Sequence, residues 1–564
     1  MQIKPYIEDI INSSFKAIDI TPKTTQINYA TKPEFGDFQY NGAMALAKEL
    51  KTNPRQIATN LANKLKENSI FEKVEVAGPG FINLTLSKDF LSKNILSALN
   101  SKAGVEAKKD PIRVVVDYSS PNMAKQMHVG HLRSTVIGDA IANLFEFLGD
   151  EVIRQNHIGD WGTQFGMLIA YFEENSKDID SKLSDLELFY KEAKKRFDED
   201  EEFAKRAREY VVKLQSGDKK SLELWENFIL KTLKHCQDIY DSLGVKLDNS
   251  CVRGESAYNS ELALIVKELE QKEIAVESNG AKCIFFEDSQ NPLIVQKGDG
   301  GYLYATTDLA AIKYRVQELK AKRVSYVVDA RQSEHFKQVF KAARMAGFVD
   351  DSVILEHIAF GMVLDKSGKP FKTRDGSTIK LKDLINEAIS RAKDSIKNSD
   401  NLSEEELEKI AKVIGIGALK YADLSINRLS NYIFDWDKML SLDGNTALYM
   451  QYAYARINSI LQKAGSFEAI EPILSDELER KLALKIALFE DVLNKAYSEA
   501  MPHLITNYLY ELTTLFMKFY ENNPILKEGV DSKIKNSRLV LAKAVANIIK
   551  VALNILGIEV LERI

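Results

Sequence analysis

Residues 113–135 read Arg113-Val114-Val115-Val116-Asp117-Tyr118-Ser119-Ser120-Pro121-Asn122-Met123-Ala124-Lys125-Gln126-Met127-His128-Val129-Gly130-His131-Leu132-Arg133-Ser134-Thr135. The opening apolar run is the pattern of a strand buried on both faces. Beyond the histidines, Leu132, Val136, Ile137, Ala140, Ile141, Leu144, Phe145 and Leu148 recur at helical spacing, and Gly149 stops them. A strand that runs through a glycine-containing turn into a helix makes an anion site. The free amides and the positive end of the helix dipole face the crevice beyond the strand. Gly130 has no Cβ to hold a ring or a ribose off the backbone. His128 and His131 are three apart and fall on one side of the helix start, with Lys125 just upstream.

Outward from this segment, short apolar runs recur at Val152-Ile153, Val324 to Val328 and Val353 to Leu355, separated by helical patterns. The alternation predicts an α/β fold with a doubly wound parallel sheet. Residues from about 168 to 247 are rich in Lys, Glu and Asp and nearly free of Pro and Gly, which predicts a helical insertion. Its cluster Lys194-Lys195-Arg196 reads as a solvated face. Upstream, helical spacing at Tyr6, Ile7, Ile10 and Ile11 gives way to alternation at Val74 to Val76 and Phe81 to Leu86 around a Gly-Pro-Gly turn. The expected organisation is an N-terminal α+β domain over 1–108, a catalytic α/β domain over 109–395, and an all-α bundle over 396–564.

The 564 residues carry 76 Lys plus Arg against 81 Asp plus Glu, a net charge of −5, which neither demands nor forbids a polyanionic partner. Cys236, Cys251 and Cys283 are too sparse for a disulfide framework, and none is spaced as a paired-cysteine zinc site. No uncharged apolar run reaches the roughly 18 residues of a membrane span. Glu8 and Asp9 do not suit a signal peptide, so a cytoplasmic protein is expected.

The string from Pro121 to Thr135 resembles the "HIGH" region of class I aminoacyl-tRNA synthetases in its arginyl-tRNA synthetase form. The likeness continues through Gln155-Asn156-His157-Ile158-Gly159-Asp160-Trp161-Gly162-Thr163-Gln164-Phe165-Gly166 and covers essentially the whole chain. It implies a Rossmann-type catalytic domain, ATP with Mg2+, L-arginine and tRNA(Arg) as partners, a monomer, and no structural zinc. His128, His131 and Lys125 would form a positive cradle for the triphosphate, with Gly130, Gly159 and Asp160 beside the nucleotide. His357 to Val363 resembles the strand that reads adenine through its backbone, with Gly361, Met362 and Val363 in that role. A literal "KMSKS" element is absent. Asp365 to Gly376 stands in its place and offers Lys369, Lys372 and Arg374, or else an exposed polar hairpin. In the family's logic Lys125 replaces the missing second lysine, and which of Lys369 and Lys372 dominates stays open.

A guanidinium presents five N–H donors in a planar fork, so a selective pocket needs carboxylates and further acceptors. The resemblance implies Asp117, Ser119, Asn122, Glu255, Tyr304, Asp308 and Gln332 as the arginine site. Glu255 and Asp308 would bind the guanidinium, Tyr304 would pack on the side chain, and Asn122 and Gln332 would fix the amino and carboxylate end. Alternatives stand beside these roles: a brace for Asp117, a helix N-cap for Asp308, a surface position for Gln332. Phe38 and Gln39 would touch the tRNA elbow, and Arg428, Tyr449 and Arg456 the anticodon region. Core packing competes with base stacking for the aromatics among them. Rival readings are a silent tRNA-binding paralogue, a small-substrate nucleotidyltransferase, and a class I enzyme for another amino acid. The intact histidines and acids oppose the first and the long helical C-terminal region the second. Missing zinc thiolates and the forked-acceptor pocket oppose the third.

Overall fold

The computed structural model describes residues 1–123, 125–175, 186–371, 379–396 and 403–563. It divides into two compact units: Met1–Ala107 with Ser441–Asn554 and Glu559–Ile564, and Lys108–Leu440 with Ile555–Ile558.

The second unit is built on four parallel strands in the order Ile354–His357, Arg323–Tyr326, Arg113–Asp117, Glu151–Gln155. Val115 faces Val324 on one side and Ile153 on the other. The chain fills the sheet to one side of Arg113–Asp117 and then to the other, so the strand order reverses there. The crevice beyond the carboxyl ends of Asp117 and Tyr326 is therefore the ligand position expected of such a sheet. Val114, Val115 and Val116 have no exposed surface, as their unbroken apolar run predicts.

The helix Val129–Phe147 departs from the expected single stripe, because nearly its whole circumference is buried. It is apolar enough to sit inside the unit, and its polar residues are paired. The Arg133 guanidinium donates through Nε to both oxygens of Asp423, at 3.0 and 3.2 Å, and through Nη1 to the Ser430 carbonyl. Val363–Leu364 pairs in parallel with Tyr432–Ile433. These two ties hold residues beyond 403 to the sheet unit, and the expected boundary at 395 falls inside it.

The insertion is helical as read: Thr163–Asn175, Leu186–Glu199, Glu201–Gln215 and Lys219–Leu243. A three-stranded antiparallel sheet follows at Val276–Ser278, Ala281–Ile284 and Leu293–Gln296.

The first unit joins a four-stranded antiparallel sheet, from Ile27–Tyr29 to Phe81–Leu86, to the C-terminal helices. Arg480 makes a two-pronged bond to Asp37, at 3.1 and 2.7 Å, and reaches the Leu86 carbonyl at 2.8 Å. A buried fork of this kind fixes orientation as well as contact. The N-terminal α+β segment and the C-terminal helices thus pack into one compact unit. Among the described residues no helix is long and apolar enough to cross a membrane.

Candidate active site

The turn at the start of Val129–Phe147 is capped by its own histidines. His128 is the N-cap; its Nδ1 accepts the Gly130 N–H at 3.0 Å, while Nδ1 of His131 accepts the His128 N–H at 3.1 Å. The two ring centroids lie 4.1 Å apart. A nitrogen that accepts carries no proton, so the donor on each ring is Nε2–H. Burial, then the neighbouring His128 and Lys125, push His131 down to about 3. It is an uncharged donor at neutral pH. The expected positive cradle is corrected in this respect: the imidazoles supply oriented N–H groups, and the positive character comes from the helix start and the lysines. Gly130 is required by His128 itself, whose Cε1 would lie 2.8 Å from an added Cβ.

The segment that returns after residue 378 pairs with this turn. Val129 N–H donates to the Ile379 carbonyl, Leu381 N–H donates to the Met127 carbonyl, and His128 bridges Lys380. At the other flank, Phe371 N–H donates to the Val363 carbonyl. Lys372 and Arg374 lie outside the described residues. Lys369 is exposed on the turn closed by Asp365, and the Asp365 carboxylate feels its charge. Lys366 is committed to Asp435 at 3.2 Å. Lys125 is exposed, its ammonium 4.8 Å from the ring of Tyr190.

Beyond the next strand the charge reverses. Glu255 opens the short turn Glu255–Tyr258, and its N–H donates to the Ile158 carbonyl. Its carboxylate has no cationic partner among the described residues. Burial, then Asp160 and Asp308, push it up to about 8. Asp160 accepts from the Ser256 N–H at 2.8 Å and the Ser256 hydroxyl at 2.6 Å, and burial still raises it. Gly254 lets Asp160 close in: an added Cβ would sit 2.2 Å from Oδ2. Tyr304 and Asp308 stand one turn apart on Tyr304–Lys313, and Tyr304 feels Glu255. Asp308 is therefore in the helix interior, and the N-cap alternative falls. His335 Nε2 meets Asp308 Oδ2 at 2.6 Å. Asn122 links the acids to the histidine turn. It bridges Gly159, and its Oδ1 would lie 2.4 Å from a Cβ at that glycine.

Three comparisons bear on this arrangement. Family models described as "tRNA synthetases class I (R), catalytic domain", "DALR anticodon binding domain" and "Arginyl tRNA synthetase N terminal domain" match residues 93–436, 450–564 and 1–86. An arginine–tRNA ligase of Laribacter hongkongensis is 51% identical over 574 residues, and one of Chromobacterium violaceum 49%, each covering 100% of both chains. The chain belongs to the class I arginyl-tRNA synthetase family. Its fold matches the arginyl-tRNA synthetase of Plasmodium falciparum with TM-score 0.86 at 32% identity, both chains fully covered. The Thermus thermophilus structure, at 24% identity and TM-score 0.84, shares the fold.

Against that family, several expected residues stand elsewhere. Asp117 is corrected to a brace. Oδ2 accepts from Arg315 Nη2 at 2.8 Å and Oδ1 from Ser120 at 2.9 Å, and acid and arginine are both buried. Ser119 is likewise turned inward. Its hydroxyl lies 2.8 Å from that of Tyr240 and 3.0 Å from that of Thr135, and its φ of +72 precedes a φ of +46 at Ser120. Two successive non-glycine residues in the left-handed region store strain where the strand turns toward the site. Asp160 sits beside Glu255. Gly361 makes room for Ser430 and Asn431, 2.7 Å from an added Cβ. The Met362 N–H donates to Asn431 Oδ1 at 2.7 Å and its carbonyl accepts from Tyr432; the Val363 carbonyl accepts from Phe371. These groups help hold the strand pair together. Gln332 is exposed at the N-cap of Ser333–Met345.

Of the tRNA candidates, Phe38 is fully buried and cannot stack on a base, and Gln39 donates to Asn83 at 2.8 Å. Arg428 donates to the Ala359 carbonyl at 2.6 Å inside the catalytic unit. Tyr449 packs on Tyr510, with centroids 6.1 Å apart, and exposed Arg456 lies 5.0 Å from the ring of Tyr520. The sequence reading passed over Arg315, Tyr240, Trp225, Ser256 and His335. Trp225 Nε1 donates to the Asp160 carbonyl at 2.7 Å, so the charged insertion supports the site. His335 carried a signal, since it falls three residues after Gln332 on a helical face.

Proposed function

We propose that this chain is an arginine–tRNA ligase: it joins L-arginine to ATP and then to the 3′-terminal ribose of tRNA(Arg). The observation that carries the reading is the acid group Glu255, Asp160 and Asp308, which among the described residues has no lysine or arginine partner and is linked through Asn122 and Gly159 to a turn of N–H donors. A fork of five donors is the ligand that such acceptors select, and a polar pocket of this kind rejects analogues lacking the donors by roughly 10⁴–10⁵.

Glu255 and Asp308 take the guanidinium, Tyr304 covers the side chain, and Asn122 and Gln332 hold the amino and carboxylate end. An oxygen of the arginine carboxylate attacks the α-phosphorus. The bond to the bridging oxygen breaks, and pyrophosphate leaves with that electron pair. No base is needed, because the carboxylate is already ionised; alignment and stabilisation of the leaving charge do the work. Nε2–H of His128 and His131 donate to phosphate oxygens, and Lys125, Lys369 and Lys372 supply mobile positive charge. The tRNA ribose hydroxyl then attacks the activated carbonyl, and AMP leaves.

ATP arrives as its magnesium complex. Magnesium keeps several waters and takes most of its remaining ligands from substrate phosphates, so the triphosphate supplies them. Residues 1–108 meet the tRNA elbow, and the C-terminal helices bind the anticodon. The protein acts in the cytoplasm as a monomer. The test is tRNA(Arg) charging with each of the twenty amino acids separately. Arginine-dependent charging is expected, and charging by another amino acid, or by none, would end the proposal.

A further inference from the structure

We infer that His335 is a positioning residue for arginine recognition, acting through Asp308; this rests on the arginine reading given above. His335 lies in the first turn of Ser333–Met345 and Asp308 in the second turn of Tyr304–Lys313. Their side chains meet at 2.6 Å through Nε2 and Oδ2 and retain only 25% and 17% of their exposure. Among the described residues Oδ1 of Asp308 makes no hydrogen bond, and the Glu255 carboxylate beside it makes none. The pocket thus offers one acid fixed by an imidazole and one acid held only by its backbone.

A terminal carboxylate torsion is broad and nearly two-fold. Left alone, the Asp308 carboxylate would be free to turn away from Glu255. A planar guanidinium needs acceptors that lie in its own plane and stay there. The His335 N–H takes one oxygen, sets the plane of the carboxylate, and leaves Oδ1 for the ligand. The cost of ordering that acid is then met before arginine arrives. A donor from a ring serves better here than a lysine or arginine would, because a permanent cation at that place would compete with the substrate.

The experiment is arginine-dependent ATP–pyrophosphate exchange by the full-length protein with tRNA(Arg) present, comparing wild type, His335→Leu and His335→Gln, with melting curves alongside. A hydrogen bond to a charged group is expected to appear as an increase of about ten- to hundredfold in the arginine KM of His335→Leu. The ATP KM and kcat should stay within about twofold, and His335→Gln, whose amide reaches Asp308, should recover most of the loss. If His335→Leu does not fold, His335→Gln and His335→Asn carry the comparison, since the shorter amide cannot reach. An unchanged arginine KM in the donor-lacking variant, or equal losses in arginine KM, ATP KM and kcat, overturns the inference and leaves the arginine reading standing. Failure of the wild type to exchange with arginine removes that reading and the inference together.

Discussion

The His128 N–H donates to Nδ1 of His131 at 3.1 Å, so the second histidine caps the helix through one nitrogen and keeps its only donor on the other. Capping and catalysis therefore use different nitrogens of one ring and can be separated. His131→Asn keeps an acceptor near the Nδ1 position and loses the donor. Single-turnover adenylate formation should fall about 10²–10³-fold in this variant with little change in melting temperature. His131→Ala should lose the same rate and, in addition, about 1 kcal/mol of stability.

Glu255 predicts a pH dependence with a definite sign. Its carboxyl is held up to about 8 by burial, then by Asp160 and Asp308, and only the ionised form attracts a guanidinium. Protonation below that value competes with arginine. The arginine KM should fall as pH rises from 6.5 through about 8 and then level off. In Glu255→Gln the KM should be high throughout and the inflection absent. A profile in which wild type and variant run parallel would assign the titration to another group.

Asp117 and Arg315 form a buried pair, and removing one partner leaves the other uncompensated. Asp117→Ala should cost about 3–5 kcal/mol in a denaturant melt. Its ATP and arginine KM values, measured well below the melting range, should stay near wild type. A selective loss of arginine binding without loss of stability would restore Asp117 to the substrate site.

Gly254 is held to glycine by the Asp160 carboxylate, which an alanine methyl would meet at 2.2 Å. Gly254→Ala should displace Asp160 from Ser256 and cost roughly 1–3 kcal/mol. The loss should be visible as a raised arginine KM and a lowered melting temperature. Exchange assays and melts on the same preparation check both.

The sheet, the histidine turn and the helical insertion were legible because each depends on local pattern: an unbroken valine run, a glycine between capping residues, a charged stretch without breakers. Glu255, Tyr304 and Asp308 were grouped through resemblance, and the structure brings them near one another. Asp117, Ser119 and Met362 are harder to read from sequence, for one physical reason. A polar group at a strand end can face a ligand or a neighbour, and only the partner, Arg315, Tyr240 or Asn431, decides which. Those partners lie between about 69 and 198 residues away along the chain, beyond any local pattern. Phe38 failed similarly, since alternation shows that one face is buried without naming which.

Excising the catalytic unit for separate study has a consequence for where the gene is cut. A fragment stopped at 395 would strip Arg133 of Asp423 and Ser430, stranding a guanidinium at the root of the histidine helix. Extending the fragment to Leu440 keeps both partners and the Tyr432–Ile433 strand. Even so, it would lack Gly557, which packs where Lys420 Nζ lies 2.6 Å from an added Cβ. A durable fragment has to graft Ile555–Ile558 back as a peptide in trans or through a designed linker.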